Sequence, residues 1–258
     1  MNYSRLILFV FAPILLVIFI ISYFYFLCPV FLWLSAFLII FVFVFSSFDI
    51  ASGVYLRTLC QGSADSRRIA ITFDDSPKEI TPRILDILKE FDVQVAFFCI
   101  GKNITGREAM LKRMVDEGHI IGNHSYSHSN TFDFQNSGRM FKELKLTDDL
   151  IWQATGKRVH LFRPPFGVTN PPLKKAVKQM GYQTIGWSIR SLDTVIHNKH
   201  KILKRITRKL KPGKVVLLHE IHPDIEWILR ELLTFARNQN YKIVTIDQLL
   251  AINAYSND

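Results

Sequence analysis

Two adjacent aspartates and a pair of histidines are the residues of this sequence best suited to hold a metal ion and to activate water. Asp74 and Asp75 follow the apolar run IAITF, which predicts a buried strand, and a buried carboxylate needs a partner to offset its desolvation. His124 and His128 lie four positions apart, so on a helical turn both imidazoles would project from one face. Asp75, His124 and His128 therefore form a ligand set for a divalent ion, with Zn²⁺ as the expected metal. Asp74 would then take a proton from water held by that ion.

These residues also have structural explanations. The aspartates could cap a helix that is expected near Thr81, and the histidines could be hydrogen-bonded side chains of the core. The zinc-protease helix uses the same histidine spacing, but it needs a glutamate where this chain has Ser125. The metal site is favoured because the aspartates and histidines together complete one ligand set.

Short apolar runs alternate with helical patterns from Arg67 onward. This alternation predicts an α/β fold in which helices cover a parallel sheet that is either closed as a barrel or open. The predicted strands are residues 68–75, 93–100, 119–124, 160–163, 184–189, 214–219 and 242–246. The predicted helices begin at Thr81-Pro82 and at Asn170-Pro171, the second ending at Gly181, and also cover 140–155, 198–214 and 224–238.

Ionisable side chains stand at or just beyond the carboxyl ends of five of these strands. Reactive residues gather at the carboxyl ends of parallel strands, so this distribution predicts an active site along one edge of the sheet. The residues concerned are Asp74 and Asp75, His124, Arg163, Asp193, and His219.

An almost uncharged apolar segment occupies the first 48 residues, since no charged residue lies between Arg5 and Asp49. A helix needs about 20 apolar residues to cross a bilayer, so the segment predicts a transmembrane helical hairpin with spans at 6–27 and 30–48. The alternatives are one long helix kinked at Pro29 and a signal-anchor. The predicted domains are a membrane segment at 1–48, a linker at 49–66 and a catalytic domain at 67–258.

Charge and cysteine content limit the possible surroundings and partners. Four arginines flank the apolar segment, and the positive-inside rule favours a multi-pass protein of a bacterial inner membrane with its main domain in the cytoplasm. The net charge of +10 suits contact with anionic lipid or an anionic substrate. The basic run 198–214 has apolar residues at helical spacing and no aromatic residue, so a solvated helix face is expected rather than a nucleic-acid site. Three widely spaced cysteines indicate no disulfide framework, and no protein partner is predicted.

Four short motifs, TFDDSP, HSYSH, RPPFG and LLHE, follow one another along the chain. In this order and spacing they resemble the signature motifs of the polysaccharide deacetylases related to the nodulation chitooligosaccharide deacetylase (NodB-like, carbohydrate esterase family 4). The resemblance extends over about residues 67–250. It implies a distorted (β/α) barrel of the NodB-homology type with fewer than eight repeats. It also implies metal-dependent removal of acetyl groups from N-acetylated sugars.

The resemblance implies roles for the aspartates and histidines of the first two motifs and for one arginine. Asp74 matches the catalytic base, while Asp75, His124 and His128 match the metal ligands. Arg163 matches the arginine that orients and tunes the base, a task suited to a fixed guanidinium.

The later motifs match the groups that stabilise charge and deliver a proton. The backbone N–H of Phe166 matches a donor to the oxyanion, and His219 matches the general acid, which Asp193 could hold and tune. Leu217 resembles the apolar residue of the acetyl pocket, and Trp187 is a further candidate for the substrate pocket. For the rings of Phe166 and Trp187, packing is favoured over a role as a sugar platform. The alternative for Arg163 is a structural ion pair, and the alternative for Asp193 is a helix cap.

Two positions depart from the family pattern. Ser76 stands where the family usually has glycine, and a left-handed backbone there would cost about 1–2 kcal/mol. Arg190 stands where the motif often has an acid, and His222 is an additional polar candidate near the mouth of the barrel.

The expected function is removal of an N-acetyl group from an amino sugar by a membrane-anchored enzyme. The expected substrate is peptidoglycan, another envelope polysaccharide or a lipid-linked sugar. One alternative is a glycan-binding homologue that has lost catalysis. Another is a hydrolase of a different non-peptide C–N amide.

Overall fold

The domain that follows two apolar helices contains one curved parallel sheet. This computed structural model describes residues 12–24 and 29–256. In the described part of the chain, the strands are β1 Thr58–Leu59, β2 Arg68–Ser76, β3 Ala96–Cys99, β4 Ile120–Asn123, β5 Leu161–Phe162, β6 Gln183–Ile185, β7 Ile189–Arg190, β8 Val215–His219 and β9 Lys242–Ile243. The helices are α1 Ala12–Phe24, α2 Pro29–Phe48, α3 Thr81–Glu90, α4 Gly101–Ile104, α5 Glu108–Asp116, α6 Ser137–Thr155, α7 Pro171–Met180, α8 Lys199–Thr207, α9 Ile225–Asn238 and α10 Ile246–Leu250.

The strand order is β1-β6-β5-β4-β3-β2-β8-β7, every pairing between these strands is parallel, and β9 pairs with the start of β2. The edges are therefore β1 and β7, and the curled sheet forms an incomplete barrel of the NodB type. The α/β class and the (β/α) barrel that the sequence predicts are confirmed.

Alternation along β2 divides the apolar core in two. Ile69, Ile71 and Phe73 pack outward into the layer between the sheet and its helices. Ala70, with Phe98 of β3 and Val215 of β8, belongs to a smaller cluster inside the curl. Residues at even positions of β2 up to Asp74 therefore face the barrel interior.

Three segments differ from their predicted structure. The predicted strand 184–189 is two strands, β6 and β7, because at residues 186–188 the chain leaves β6, the neighbour of edge strand β1, and enters β7 at the opposite edge of the sheet. The predicted strand 242–246 ends at Ile243, and α10 begins at Ile246. Part of the expected linker, 49–66, is the edge strand β1, in which Thr58 and Leu59 pair with β6.

The helix ends follow local signals only in part. Asn170 caps α7 by accepting a hydrogen bond from the N–H of Leu173 at 2.8 Å, and Gly181 ends that helix in the left-handed conformation, as predicted. Thr81 does not cap α3, because its hydroxyl accepts the N–H of Lys78 and donates to a buried carboxylate instead. The basic helix predicted at 198–214 is shorter, since α8 covers only Lys199–Thr207.

Helices α1 and α2 lie on the apolar N-terminal segment and contact each other. Much of their apolar surface is exposed, including Trp33 at 77% and Phe48 at 68%. Within residues 12–24 and 29–256, no helix combines the length and the apolar character that a membrane crossing needs. The predicted span 6–27 lies partly outside the described residues, as does the predicted break before Pro29.

Candidate active site

The two aspartates reach the same end of the barrel because the backbone changes direction between them. Asp74 faces the interior from β2, and an ordinary strand would point Asp75 to the opposite face. Asp75 instead has φ 67°, and the pairing of β2 with β3 skips a residue between Phe73 and Ser76. Such a bulge re-aims a side chain. The carboxylates of Asp74 and Asp75 consequently lie 3.7 and 3.8 Å from Nε2 of His124.

Asp75, His124 and His128 form a cluster whose ligand atoms all lie within 4.8 Å of one another. Oδ1 of Asp75 is 3.5 Å from Nε2 of His128, too far for a good hydrogen bond. That oxygen is buried and has no hydrogen-bond partner among the described residues. A buried carboxylate oxygen normally has a partner, so an ion held between these atoms fits the site. One carboxylate and two imidazoles also match the donor set that Zn²⁺ accepts.

The histidine side chains present the nitrogen atoms that a metal ion requires. Nδ1 of His124 lies 2.7 Å from the carbonyl oxygen of Arg163, which places the ring proton on Nδ1 and leaves Nε2 free to bind. Burial lowers the pKa of His128 to about 4, and the charge of His124 acts in the same direction. Neutral imidazole is the form that coordinates a metal ion.

A loop, rather than the expected helical turn, carries the two histidines. They follow β4, and left-handed backbone at Ser125 and His128 turns both rings toward the aspartates. Glu143 of α6 holds this loop by accepting hydrogen bonds from the N–H groups of Tyr126 and Ser127 at 3.2 and 2.9 Å. Glu143 was not predictable as a site residue from the sequence, because it occupies an ordinary position in an amphipathic helix.

Arg163 is fully buried and holds Asp74 in place. Its Nη1 donates to Oδ1 of Asp74 at 2.7 Å and to the hydroxyl of Thr72 at 2.8 Å. The other nitrogens donate to the carbonyl oxygens of Ile185 and Gly186. Burial lowers the pKa of Arg163, and the Asp74 carboxylate opposes this effect. The guanidinium thus fixes one oxygen of Asp74 and leaves the other facing His124.

His219 lies directly opposite Asp74 in the pairing of β8 with β2. Asp193 contacts it twice, accepting from the backbone N–H at 2.7 Å and lying 2.8 Å from Nδ1. Burial acts to lower the pKa of His219, but the hydrogen bond and charge of Asp193, together with Asp74 and Asp75, raise it overall. In a protonated His219, the Nδ1–H therefore donates a hydrogen bond to Asp193. The Nε2–H remains available to another molecule.

The predicted pocket residues surround this cluster. Leu217 is 2% exposed and lies two residues before His219 on the same face of β8. Phe166 has φ 56°, and its ring packs edge-on against His128 at 4.7 Å. Trp187 packs against Gly167, where an added Cβ would lie 2.5 Å from the indole.

A serine in place of the family's usual glycine raised the question of a left-handed backbone at residue 76. In the structure Asp75 has the left-handed conformation and Ser76 does not. Its hydroxyl instead donates to Oε1 of Glu220 at 2.7 Å, and the hydroxyl of Thr81 donates to Oε2 at 2.6 Å. Burial raises the pKa of Glu220 to about 7. Glu220, the residue after His219, thus connects the end of β8 to the last residue of β2 and to the first residue of α3.

Two further candidates lie away from this cluster. His222 is buried and accepts the N–H of Asp224 on Nδ1 at 3.0 Å, so it supports the start of α9. Arg190 is exposed at the end of β7 and lines a separate cavity.

The fold and the arrangement of side chains define a NodB-type barrel with a candidate metal-binding group at the carboxyl ends of its strands. The chain belongs to the polysaccharide deacetylase family, whose sequence model matches residues 61–185.

Relatives and solved structures agree with this assignment. The peptidoglycan-N-acetylmuramic acid deacetylase PdaA of Bacillus subtilis is 34% identical over 73% of each chain. The peptidoglycan-N-acetylglucosamine deacetylase PgdA of Listeria monocytogenes is 32% identical over 78% of this chain, which spans only 44% of that relative. Among solved structures, the Bc1960 peptidoglycan N-acetylglucosamine deacetylase has a TM-score of 0.71 and 27% identity over 76% of this chain and 94% of its own. A pseudoenzyme of the same family from Bacillus anthracis, BA3943, has a TM-score of 0.69 and 29% identity over 75% of this chain and 68% of its own.

Proposed function

We propose that this protein is a metal-dependent N-deacetylase that hydrolyses the N-acetyl group of an amino sugar in a glycan. The observation that carries the proposal is the buried Oδ1 of Asp75, which has no hydrogen-bond partner in the described part of the chain and faces Nε2 of both His124 and His128. When bound there, a divalent ion, with Zn²⁺ expected, would supply a Lewis acid for water and for the acetyl carbonyl. The remaining chemistry belongs to residues of the chain.

Asp74 is the proposed base. One of its oxygens is fixed by Arg163, and the other lies 3.7 Å from Nε2 of His124, on the side where the ion and water would lie. The hydrogen bond from the Arg163 guanidinium orients the carboxylate so that its second oxygen can accept a proton. Asp74 therefore takes the proton of the attacking water as the C–O bond forms.

His219 is the proposed acid. Asp193 holds Nδ1, so a protonated His219 delivers its Nε2 proton to the departing amine as the C–N bond breaks. The left-handed turn at Phe166 supports a role for its N–H as a donor to the oxyanion. Leu217, buried on the same strand face as His219, is the proposed wall for the acetyl methyl group.

The substrate class follows from the relatives, which are named as deacetylases of peptidoglycan sugars. We propose peptidoglycan, another envelope polysaccharide or a lipid-linked amino sugar for this chain. We also propose that the apolar N-terminal segment attaches the protein to a bacterial inner membrane, because the apolar side chains of α1 and α2 are largely exposed. The flanking arginines favour a cytoplasmic domain, and a reporter fused to the carboxyl terminus would test this.

Amine release from an N-acetylglucosamine oligomer tests the proposal. The full chain should release amine, a chelator should stop the release, and added Zn²⁺ should restore it. Asp74→Asn should abolish turnover with metal still bound, while Asp65→Asn, an exposed aspartate outside the barrel, should behave as wild type. Retained activity in Asp74→Asn would show that Asp74 is not the base.

A catalytically inactive glycan-binding protein is the second candidate, and the similarity to the pseudoenzyme BA3943 favours including it. In that case the metal-loaded chain would bind the oligomer without releasing amine. If neither release nor binding occurs but another small amide is cleaved, the substrate assignment changes and the proposed residues keep their roles.

A further inference from the structure

A second cavity lies at the gap where the barrel fails to close. Its volume is about 760 Å³. One wall is the edge strand β1 with Cys60, which follows it, and the other is the segment from Trp187 to Arg190 that enters the edge strand β7. Edge strands leave backbone groups unpaired, so this seam cavity offers hydrogen-bond donors as well as side chains.

Three cations converge on the seam cavity. They are Arg190 of β7, Arg205 of α8, and Lys209, which follows α8. Asp49 is the one carboxylate in the lining, and its Oδ1 accepts the N–H of Ala51 at 3.0 Å. In the part of the chain that the structure describes, no carboxylate pairs with any of the three cations. The cavity therefore has a net positive charge that the protein itself does not neutralise.

Contacts with neighbouring groups hold the two arginines of the seam cavity in place. Nε of Arg205 donates to the backbone carbonyl of Arg190 at 2.9 Å, which leaves its terminal nitrogens for other partners. The guanidinium carbon of Arg190 lies 5.9 Å from the centre of the Trp187 ring. An arginine fork beside an aromatic ring suits a phosphoryl group attached to a sugar, because the guanidinium binds phosphate oxygens in pairs.

The seam cavity lies between the candidate active site and the apolar helices. Trp187 contacts Gly167 of the loop that carries Phe166, and its ring centre is 5.7 Å from the guanidinium carbon of Arg163. On the other side, the lining includes Asp49 at the end of α2. A molecule with an apolar tail along α2 could thus place a phosphoryl group in the seam and a sugar at the catalytic cluster.

We propose that the seam cavity binds a phosphoryl group through Arg190, Arg205 and Lys209. The site itself rests on the cavity and its charges. Its assignment to the substrate rests on the proposed deacetylase function and would make that substrate a phosphoryl-linked amino sugar. The headgroup of an anionic phospholipid presents the same chemistry and is the other possible source.

Pyrophosphate titration of the full chain in phosphatidylcholine nanodiscs tests the site. The protein is first stripped of metal with a chelator, so that pyrophosphate cannot bind through an ion. Arg190→Gln should weaken binding by about tenfold or more, the loss expected for a charged hydrogen bond. Arg208→Gln removes the same charge from the segment after α8, outside the cavity lining, and should bind as wild type.

Discs enriched in phosphatidylglycerol distinguish the two sources. Weaker pyrophosphate binding in these discs for the wild type, but not for Arg190→Gln, identifies a lipid headgroup as the competing ligand. Equal wild-type affinity in both discs identifies a phosphoryl group of the substrate. Equal affinity of wild type, Arg190→Gln and Arg208→Gln in phosphatidylcholine discs, or no binding by any of them, overturns the proposal.

Pyrophosphate binding tests the seam site, and deacetylase activity tests the proposed function, so the two proposals can fail independently. Asp74→Asn should bind pyrophosphate as wild type does, because Asp74 lies outside the cavity lining. Pyrophosphate binding that depends on Arg190 in a protein without deacetylase activity would retain the seam site and reject the proposed function.

Discussion

Glu220 should make the protein less stable as the pH rises toward neutrality. Its carboxylate is buried beside Ser76 and Thr81, and burial raises its pKa from 4.5 to about 7. Between these pH values the folded protein keeps a proton that the unfolded chain has released. Unfolding then releases a proton, so rising pH favours the unfolded state.

The size of this effect follows from the pKa shift. At about 1.36 kcal/mol per pKa unit, a rise from 4.5 to about 7 amounts to about 3 kcal/mol. Glu220→Gln removes the ionisable group, and its amide can still hydrogen-bond with the hydroxyls of Ser76 and Thr81. The unfolding free energy of the wild type relative to this variant should therefore fall by about 3 kcal/mol from pH 4.5 to pH 7 and stay level above.

Chemical denaturation of the full chain in detergent micelles, followed by tryptophan fluorescence across this pH range, measures the difference. Glu231→Gln is the matched control, because Glu231 is exposed on α9 and should show no such trend. A wild-type stability that stays constant relative to Glu220→Gln, or rises with pH, would show that Glu220 is ionised in the folded protein and exclude the raised pKa.

Three further predictions concern the groups around the cluster. Asp193→Asn should move the alkaline limb of the kcat/KM profile to lower pH, because Asp193 raises the pKa of His219; an unmoved limb would contradict that pairing. Glu143→Gln should weaken Zn²⁺ binding about tenfold to a hundredfold in chelator competition, because the histidine loop loses its anchor, and unchanged affinity would rule this out. Gly167→Ala should lower both activity and stability, because its φ is 75° and its Cβ would strike the indole beside it. Gly156→Ala, with φ 68° and open space, should lower stability alone by about 1 kcal/mol, and equal activity losses in the two variants would exclude the indole contact.

The sequence predicted a parallel sheet covered by helices because its apolar runs alternate with helical patterns, and the resemblance of its motifs to a known family implied the barrel. The structure agrees with these local patterns, as at β8, where Val215 to Leu218 are buried and His219 ends the strand. The same logic brought Asp75, His124 and His128 into one cluster, although they come from separate segments.

Other features depend on contacts between distant segments, which local patterns do not encode. Ser76 and Glu220 are 144 positions apart, so the hydrogen bond that makes serine suitable was not predictable from either residue. The bulge at Asp75 depends on the register with β3, and the division of 184–189 into two strands depends on how the barrel closes. Glu143 and the seam cavity likewise become evident only once the helices are in place.

The most direct test is the anomalous diffraction of crystals of the protein loaded with Zn²⁺. We expect one ion about 2.0–2.2 Å from Oδ1 of Asp75 and from Nε2 of both His124 and His128. An ion bound elsewhere, with these three atoms still unligated, would contradict this expectation.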